Sequence, residues 1–577
     1  MERKFKSLAK RIICIALVAS LVFLLMTPSN WIRWPPIPRP PDDVSLVYGI
    51  PNGPSDIDPQ YANDEISFSV IDQVCEGLFK YNLSDSNFAI IPNLALSGVW
   101  SPDEKEYMVT LRQGVTFHDG APFNADAVIF TWERLAWALN TTGTNTDRVT
   151  QVAELYGFPN GTPIVKDVIK NSNYSVTFVL NDRFAPFKAL LCFSASYILS
   201  PESTPATAYI DTYTGTIIGT GPFFYDIYEA GVEIVLPRYT NYWKGKSQIE
   251  LIVYSIITDA NARNAALLSG DIDYLSNPMD EILGVLNLTE GINLVYVGQG
   301  LVTQYLGMNN VLLNSTWRET ISYAIDYDYI LNVLREGNAV RMESPIPEGI
   351  LYANWTFDEA ELDVPYARAI MQGMGFGVGW NVTIGSINEP DWEGATFATF
   401  NYTYNIGNDF REDVLVLLQD NLGKIGIVVE EAGMTWEEFT NRLYEREGRH
   451  RNMLQLYTLE WGFVYSDPST YINPLFTNRS AASNFVQYNG YQAAIEKGRN
   501  PFNLWDNVQL LMEEALRTTN EELRKQYYWR IQELLIEQDR PWAFLYARRV
   551  YSARVSNLEG CIPNTIGKEW FWPCYYS

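Results

Sequence analysis

Histidine is almost missing from this chain, with two residues, His118 and His450, in 577. They lie far apart and neither belongs to an H-x-x-x-H pair, so most metal and nucleophile-base schemes lose their usual base. Cysteine is scarce as well. Of the five, Cys14 sits in a leading apolar run, and Cys75, Cys192, Cys561 and Cys574 contain no C-x-x-C pair, which removes the common zinc spacings. There is no G-x-S-x-G elbow, no Walker-type G-x-x-x-x-G-K-S/T loop and no G-x-G-x-x-G after a strand. Nothing in the pattern calls for a catalytic residue, a metal or a cofactor. Basic residues are outnumbered, 42 Lys and Arg against 68 Asp and Glu, and the net charge of -26 is spread along the chain. That field repels phosphate backbones, so a nucleic-acid partner is excluded, and it keeps the surface soluble.

What is present is a folded composition: 47% aliphatic and aromatic residues, 19% charged. The length exceeds one ordinary core and predicts two or three lobes. No repeat of twenty to fifty residues occurs, which argues against a solenoid or propeller. Lys4, Lys6, Lys10 and Arg11 precede the uncharged apolar stretch Ile12 to Met26, the pattern of an export signal that is either removed or kept as an anchor, residues 1–30. Residues 31–43 begin W-I-R-W-P-P-I-P-R-P-P, an extended spacer fit to hold a domain off a membrane. Ten N-x-S/T sequons, among them Asn140, Asn160, Asn314, Asn354 and Asn401, fit export. Cys561 and Cys574 close a short loop and are a candidate disulfide in an oxidising compartment.

Alternation predicts strands at Tyr107 to Leu111, Tyr174 to Leu180 and Val232 to Leu236. A helix is predicted from Ala260 to Leu268, stopped by Gly270, with Asp271 to Tyr274 extended after it. Two amphipathic stripes follow late in the chain: Val508, Leu511, Met512, Ala515, Leu516, and Leu523, Tyr527, Ile531, Leu534, Leu535, the second behind a capping box at Thr519 and Glu522. This order predicts α/β lobes with mixed sheets. Acidic residues are abundant enough that a carboxylate-dependent glycosidase stays open, although no pair stands out. An adhesive surface protein is the other alternative.

From Pro92 the chain reads P-N-L-A-L-S-G-V-W-S-P-D-E-K-E-Y-M-V-T-L-R-Q-G-V-T-F-H-D-G-A-P-F-N-A-D-A-V-I-F-T-W-E-R-L, ending at Leu135. Trp100 leads into a Ser-Pro-Asp turn, His118 lies in a tight turn with local hydrogen bonds, and Asn124 caps the following helix. Further blocks come in order: Asp58-Pro59; Val74-Cys75-Glu76-Gly77-Leu78-Phe79; Gly219-Thr220-Gly221-Pro222-Phe223; Arg238 to Gly245; Ala265 to Asp273; Trp317 to Asp326; Ser344 to Pro347; and Trp461 to Phe476. Together, over about Val44 to Gly560, they resemble family 5 extracellular solute-binding proteins, the oligopeptide- and dipeptide-binding type of ABC transporters.

The resemblance implies a type II periplasmic-binding-protein fold (class C): two hinged α/β lobes with an extra N-terminal subdomain. The expected division is 44–90, 206–298 and 546–577 for lobe I, 91–205 for the extra subdomain and 299–545 for lobe II. It implies a monomer on the outer face of the cell membrane or in the periplasm, which closes over a solute and passes it to ABC permease subunits. Glu76, Gly77 and Leu78, with Glu460, Trp461 and Gly462, are expected to offer backbone groups to an extended ligand. Peptide binders of the family place an Asp three residues after the Trp, against the ligand's ammonium; here Val464 stands there, and Asp467 is the nearest substitute. Trp461, Tyr465 and Tyr471 suit the alternative of an oligosaccharide ligand.

Overall fold

Two strands organise the chain. In the computed structural model, Ile292–Met308 and Trp542–Val555 are antiparallel partners. At about 3.4 Å per residue each reaches across roughly 50 Å. At one end Ile292 to Val295 lie opposite Val555 to Ser552; at the other Thr303 to Gly307 lie opposite Ala547 to Trp542. The register shifts twice between these ends, at Tyr296/Gly298 and Gln299/Thr303, and once inside the second, at Gln304/Tyr305; Gly298 takes φ +147°, open to glycine and few other residues.

The sheet continues on both sides of this pair. On one side, in spatial order, come Tyr274–Ser276, Ser45–Ile50, Leu251–Ile256, Glu233–Pro237 and Ile227–Glu229; on the other come Leu456–Trp461, Ala398–Asn405 and Ile427–Met434. Ser45–Ile50 runs parallel to Leu251–Ile256, and Ala398–Asn405 parallel to Ile427–Met434, while most other pairs are antiparallel. It is a mixed sheet. Each wing has its own core: Leu46, Val70, Phe223, Leu236 and Tyr254 in the first, and Met308, Trp392, Tyr402, Leu418 and Leu456 in the second. The structure describes residues 44–146, 149–158, 160–444, 453–478 and 483–577, and Val44–Ser577 is one unit. The expected signal segment, its spacer, Cys14 and His450 lie outside the described residues.

A separate four-stranded antiparallel sheet is built from Ala95–Trp100, Glu106–Leu111, Ser175–Leu180 and Val165–Ser172. Glu106–Leu111 alternates exposed and buried side chains along its length, which is why two-residue periodicity revealed it. The helix Ala125–Ala138 packs on this sheet. Asn124 caps it as expected, its Oδ1 accepting from Asp126 N at 2.9 Å and Ala127 N at 3.2 Å. From that helix Arg134 donates to both carboxylate oxygens of Asp58, at 3.0 and 2.5 Å, and to Gln60 Oε1 at 2.7 Å. Its remaining N–H groups reach the carbonyls of Pro205 and Ala208 at 2.8 and 2.9 Å. Both charged side chains are fully buried. With every donor used, this pair ties the small sheet to the first wing; removal of one partner alone would leave an uncompensated buried charge.

Three local expectations need correction. Asn520, not Thr519, caps the helix Glu521–Glu533, because Thr519 Oγ1 donates instead to Glu104 at 2.6 Å. Leu523 is exposed, although Tyr527, Ile531, Leu534 and Leu535 are buried as the stripe predicted. His118 is not satisfied locally: its N–H donates to Gly219 O and its Nε2 lies 2.9 Å from Gly221 O, so the turn docks on a segment a hundred residues away. Burial lowers its pKa to about 4, leaving a neutral ring in a structural role.

Cys561 and Cys574 form a disulfide, and Cys75 and Cys192 are free and buried. The bridge closes a loop with a separation of 13 residues. Such a loop is worth about 3 kcal/mol in lost unfolded-chain entropy. The double variant C561S/C574S should therefore unfold at a lower temperature by calorimetry, and reductant should lower the wild type to match. If both proteins unfold together, the neighbouring core residues Leu558 and Phe571 hold this segment without the bond.

Candidate functional site

The segment Glu76 to Leu78 is fixed by backbone packing. The helix Glu65–Val74 begins at Asp64, whose side chain accepts from Ser67 N at 2.9 Å, and ends at Cys75. Gly219 and Gly221 then pass so close that a Cβ on either would meet Val74 O at 2.1 Å or Gln73 O at 2.5 Å. Only glycine permits that approach, and it lets Gly221 N donate to Val74 O at 2.9 Å and Phe223 N to Gln73 O at 3.2 Å. The Gly-Thr-Gly-Pro-Phe block is thus a clamp on the chain just before Glu76.

Glu76 is buried, and its carboxylate closes a network. It accepts from Trp243 Nε1 at 2.7 Å, Tyr242 OH at 2.8 Å, Thr220 Oγ1 at 3.0 Å, Lys244 Nζ at 3.1 Å and Asn93 Nδ2 at 3.3 Å. A carboxylate with five donors is a structural anchor with no capacity left for a ligand. The carbonyls of the three residues are also engaged: Glu76 O by Ile198 N at 3.0 Å, Gly77 O by Asn93 Nδ2 at 3.1 Å and Leu78 O by Ala95 N at 2.9 Å. Leu78 itself is fully buried.

Across the long strands, Leu456–Trp461 delivers the second group of candidates. Glu460 is exposed at the strand's end, where its carboxylate accepts from Gln304 Nε2, and makes no ion pair among the described residues. Trp461 is half-buried and donates its indole N–H to Thr470 O at 2.9 Å. A Cβ on Gly462 would have a single neighbour, Val302, at 4.0 Å, so the backbone there borders open space. Val464 is half-buried against apolar neighbours.

Asp467 does not stand in for the missing carboxylate at 464. It is buried in a two-pronged pair with Arg524, both oxygens at 2.8 Å, and also accepts from Ser469 N at 2.9 Å. Its charge is spent inside the protein. Tyr465 and Tyr471 are likewise core residues, 3% and 0% exposed, and Tyr471 OH donates to Leu301 O at 2.9 Å. Neither can stack on a sugar ring. Of the three aromatics that favoured an oligosaccharide, Trp461 alone reaches the surface.

Sequence reasoning passed over two features. The first is Tyr81, where the two wings meet: its hydroxyl accepts from Ser466 N at 2.9 Å, and its ring lies edge-on to Phe463 with centroids 6.1 Å apart. The second is a cavity of about 190 Å³ lined by Glu76, Gly77, Lys80, Asn93, Lys568 and Trp570, among others. Lys80 is half-buried there with its ammonium 5.5 Å from the centre of the Trp570 ring. Burial, with the charge of Lys244, lowers its pKa to about 8. The signal was present in the order Phe79-Lys80-Tyr81 directly after Glu76-Gly77-Leu78, but the wall supplied by the C-terminal segment was not. Among the described residues no group of three or more His, Cys, Asp or Glu could hold a metal ion, and no helix is long and apolar enough to cross a membrane.

Comparison with known proteins gives a consistent result. The chain is 26% identical over 525 residues to the glutathione-binding protein GsiB of Pectobacterium atrosepticum, covering 88% of this chain and 90% of that one. It is 25% identical over 546 residues to the dipeptide-binding protein of Escherichia coli, covering 91% and 94%. Among solved structures, the ABC transporter-associated periplasmic binding protein DppA of Helicobacter pylori, in complex with a peptide, superposes with a TM-score of 0.72 at 21% identity, over 92% of this chain and 98% of that one. The fold is that of the type II periplasmic binding proteins, two α/β lobes sharing a mixed sheet. A family model described as "Bacterial extracellular solute-binding proteins, family 5 Middle" matches residues 89–483, more than half of the chain. With its clamp before Glu76, its shared strands and its facing wings, the chain belongs to family 5 of the extracellular solute-binding proteins.

Proposed function

We propose that this protein captures an oligopeptide-type solute between its lobes by hinge closure and presents it to the permease subunits of an ABC importer, outside the cytoplasm. The observation that supports this is that the segments Gly77–Leu78 and Trp461–Gly462, proposed to present backbone groups to the ligand, lie on opposite wings that meet at Tyr81 and Ser466 beside the shared strands. The lobes that close are 44–90, 206–298 and 546–577 on one side and 299–545 on the other. The chain works as a monomer on the outer face of the cell membrane or in the periplasm, its N-terminal segment either removed or kept as an anchor. Since the carbonyls of Glu76, Gly77 and Leu78 are engaged, that segment offers N–H groups to carbonyls of an extended ligand, as in strand addition. The named ligands of the relatives, glutathione and a dipeptide, support a peptide. Tyr465 and Tyr471 in the core weigh against an oligosaccharide, and a family of solute-binding proteins weighs against a glycosidase.

The absence of a free carboxylate at 464 and the pairing of Asp467 with Arg524 make a free peptide ammonium a poor anchor at that place. Thermal unfolding of the purified protein should be followed with di- to pentapeptides, with N-terminally blocked peptides, and with cello-, manno- and xylo-oligosaccharides. A peptide at a hundred times its Kd stabilises the native state by about 2.7 kcal/mol, a shift of about a degree or more. Shifts with sugars alone would overturn the proposal.

Closure generates a second expectation. Tyr81→Phe removes the acceptor of Ser466 N and leaves that N–H without its partner. The closed form should lose about 1 kcal/mol, raising Kd about fivefold through the smaller closed population. Calorimetric titration with a peptide from the panel measures this; an unchanged Kd would mean that binding does not bring these two residues together.

A further inference from the structure

We infer that the cavity beside Gly77 receives a carboxylate of the bound peptide, with Lys80 as its counter-ion. This assignment rests on the peptide reading above and adds which part of the peptide is recognised there. It follows from the charges around the cavity. Three acids line it, Asp72, Glu76 and Glu569, with two lysines, Lys80 and Lys568. Asp72 is closed by Lys568 Nζ at 2.7 Å and Tyr197 OH at 2.7 Å. Glu76 is closed by Lys244 and its other donors. Glu569 is buried, and its carboxylate accepts from Tyr274 OH at 2.8 Å and from Ser276 Oγ, on the strand next to the long pair. Lys80 is left over.

Among the described residues it makes no ion pair, although the chain carries 68 acids to 42 basic residues and had carboxylates to spare. The Trp570 ring face attracts the ammonium without neutralising it. Burial and the like charge of Lys244 lower its pKa to about 8, against the opposing pull of Glu76. Size sets the next limit. At about 190 Å³ the cavity is smaller than the roughly 300–1,000 Å³ that encloses a whole drug-sized ligand. It therefore takes one end or one side chain. Gly77, whose segment is proposed to pair with the ligand backbone, forms part of its wall, so a terminus or side chain leaving that pairing enters directly. The chemistry required is a carboxylate, which a peptide supplies at its C-terminus or on an acidic side chain.

Calorimetric titration with Ala-Ala-Ala, Ala-Ala-Ala amide and Ala-Glu-Ala amide separates these sources. The wild type should bind at least one acid-bearing peptide tenfold or more tightly than Ala-Ala-Ala amide. Preference for Ala-Ala-Ala alone assigns the terminus; preference for Ala-Glu-Ala amide assigns the side chain. K80M should abolish the preference and K80R should retain it, with K80Q as the neutral variant if K80M does not fold. Equal wild-type affinity for acid and amide, or a preference that survives in a folded neutral variant, overturns the role of Lys80 while leaving peptide capture intact. Failure of all three peptides, and of the wider peptide panel, overturns peptide capture and this assignment with it.

Discussion

Everything in this structure hangs from the antiparallel pairing of Ile292–Met308 with Trp542–Val555. One sheet spans both wings because these strands belong to both, so the wings can change their relation only where the ladder is weak. The two ends, Ile292 to Val295 and Thr303 to Gly307, are each locked to a further strand of their own wing: Tyr274–Ser276 at one end and Leu456–Trp461 at the other. Two register shifts and Gly298 lie between them, and a third, at Gln304/Tyr305, lies inside the second end. A hinge needs a few backbone positions that absorb φ and ψ changes while the flanks stay rigid, and this arrangement supplies both.

Three of the buried carboxylates are closed in the same way. Asp58, Glu76 and Asp467 are all closed by cations and neutral donors inside the protein. In a chain with a net charge of -26, a buried carboxylate without such closure would add desolvation cost to long-range repulsion. The closing partners sit far away in sequence: Arg134 is 76 residues from Asp58, Lys244 is 168 from Glu76, and Arg524 is 57 from Asp467. This is why Glu76 and Asp467, read from their own neighbourhoods, looked free to meet a ligand and are instead parts of the scaffold.

Features governed by short-range geometry were legible in the chain. Asn124 caps its helix, Gly270 ends another in the left-handed region, and alternation located Glu106–Leu111 and Ser175–Leu180 within a residue. The mixed α/β class followed from the ordering of strand and helix patterns, and the family from the order of the motif blocks. What could not be read was competition between local and distant partners. Thr519 and Asn520 are both competent caps, and a carboxylate from Glu104 decided between them. The same holds for the site: Lys80 acquires meaning only when Trp570 and Lys568 arrive from the far end of the chain to wall the cavity.

The contacts between the wings also bear on how a solute controls closure. Tyr81 contributes one hydrogen bond and one edge-on ring contact, together about 2 kcal/mol. At the rim the small sheet meets the late helices through Ala185 N to Leu516 O at 2.8 Å, Thr519 to Glu104, and Arg517 to Asp182 at 2.9 Å. The last is an exposed ion pair worth about 0–1 kcal/mol. Moving a two-state equilibrium from 1:99 to 99:1 takes about 5.5 kcal/mol. These polar contacts alone fall short of that swing, and buried apolar side chains of both sides, Phe79 and Leu301 among them, share one core cluster and add to them. In the proposed trap, a solute shifts this balance only by as much as it binds the closed form better than the open one.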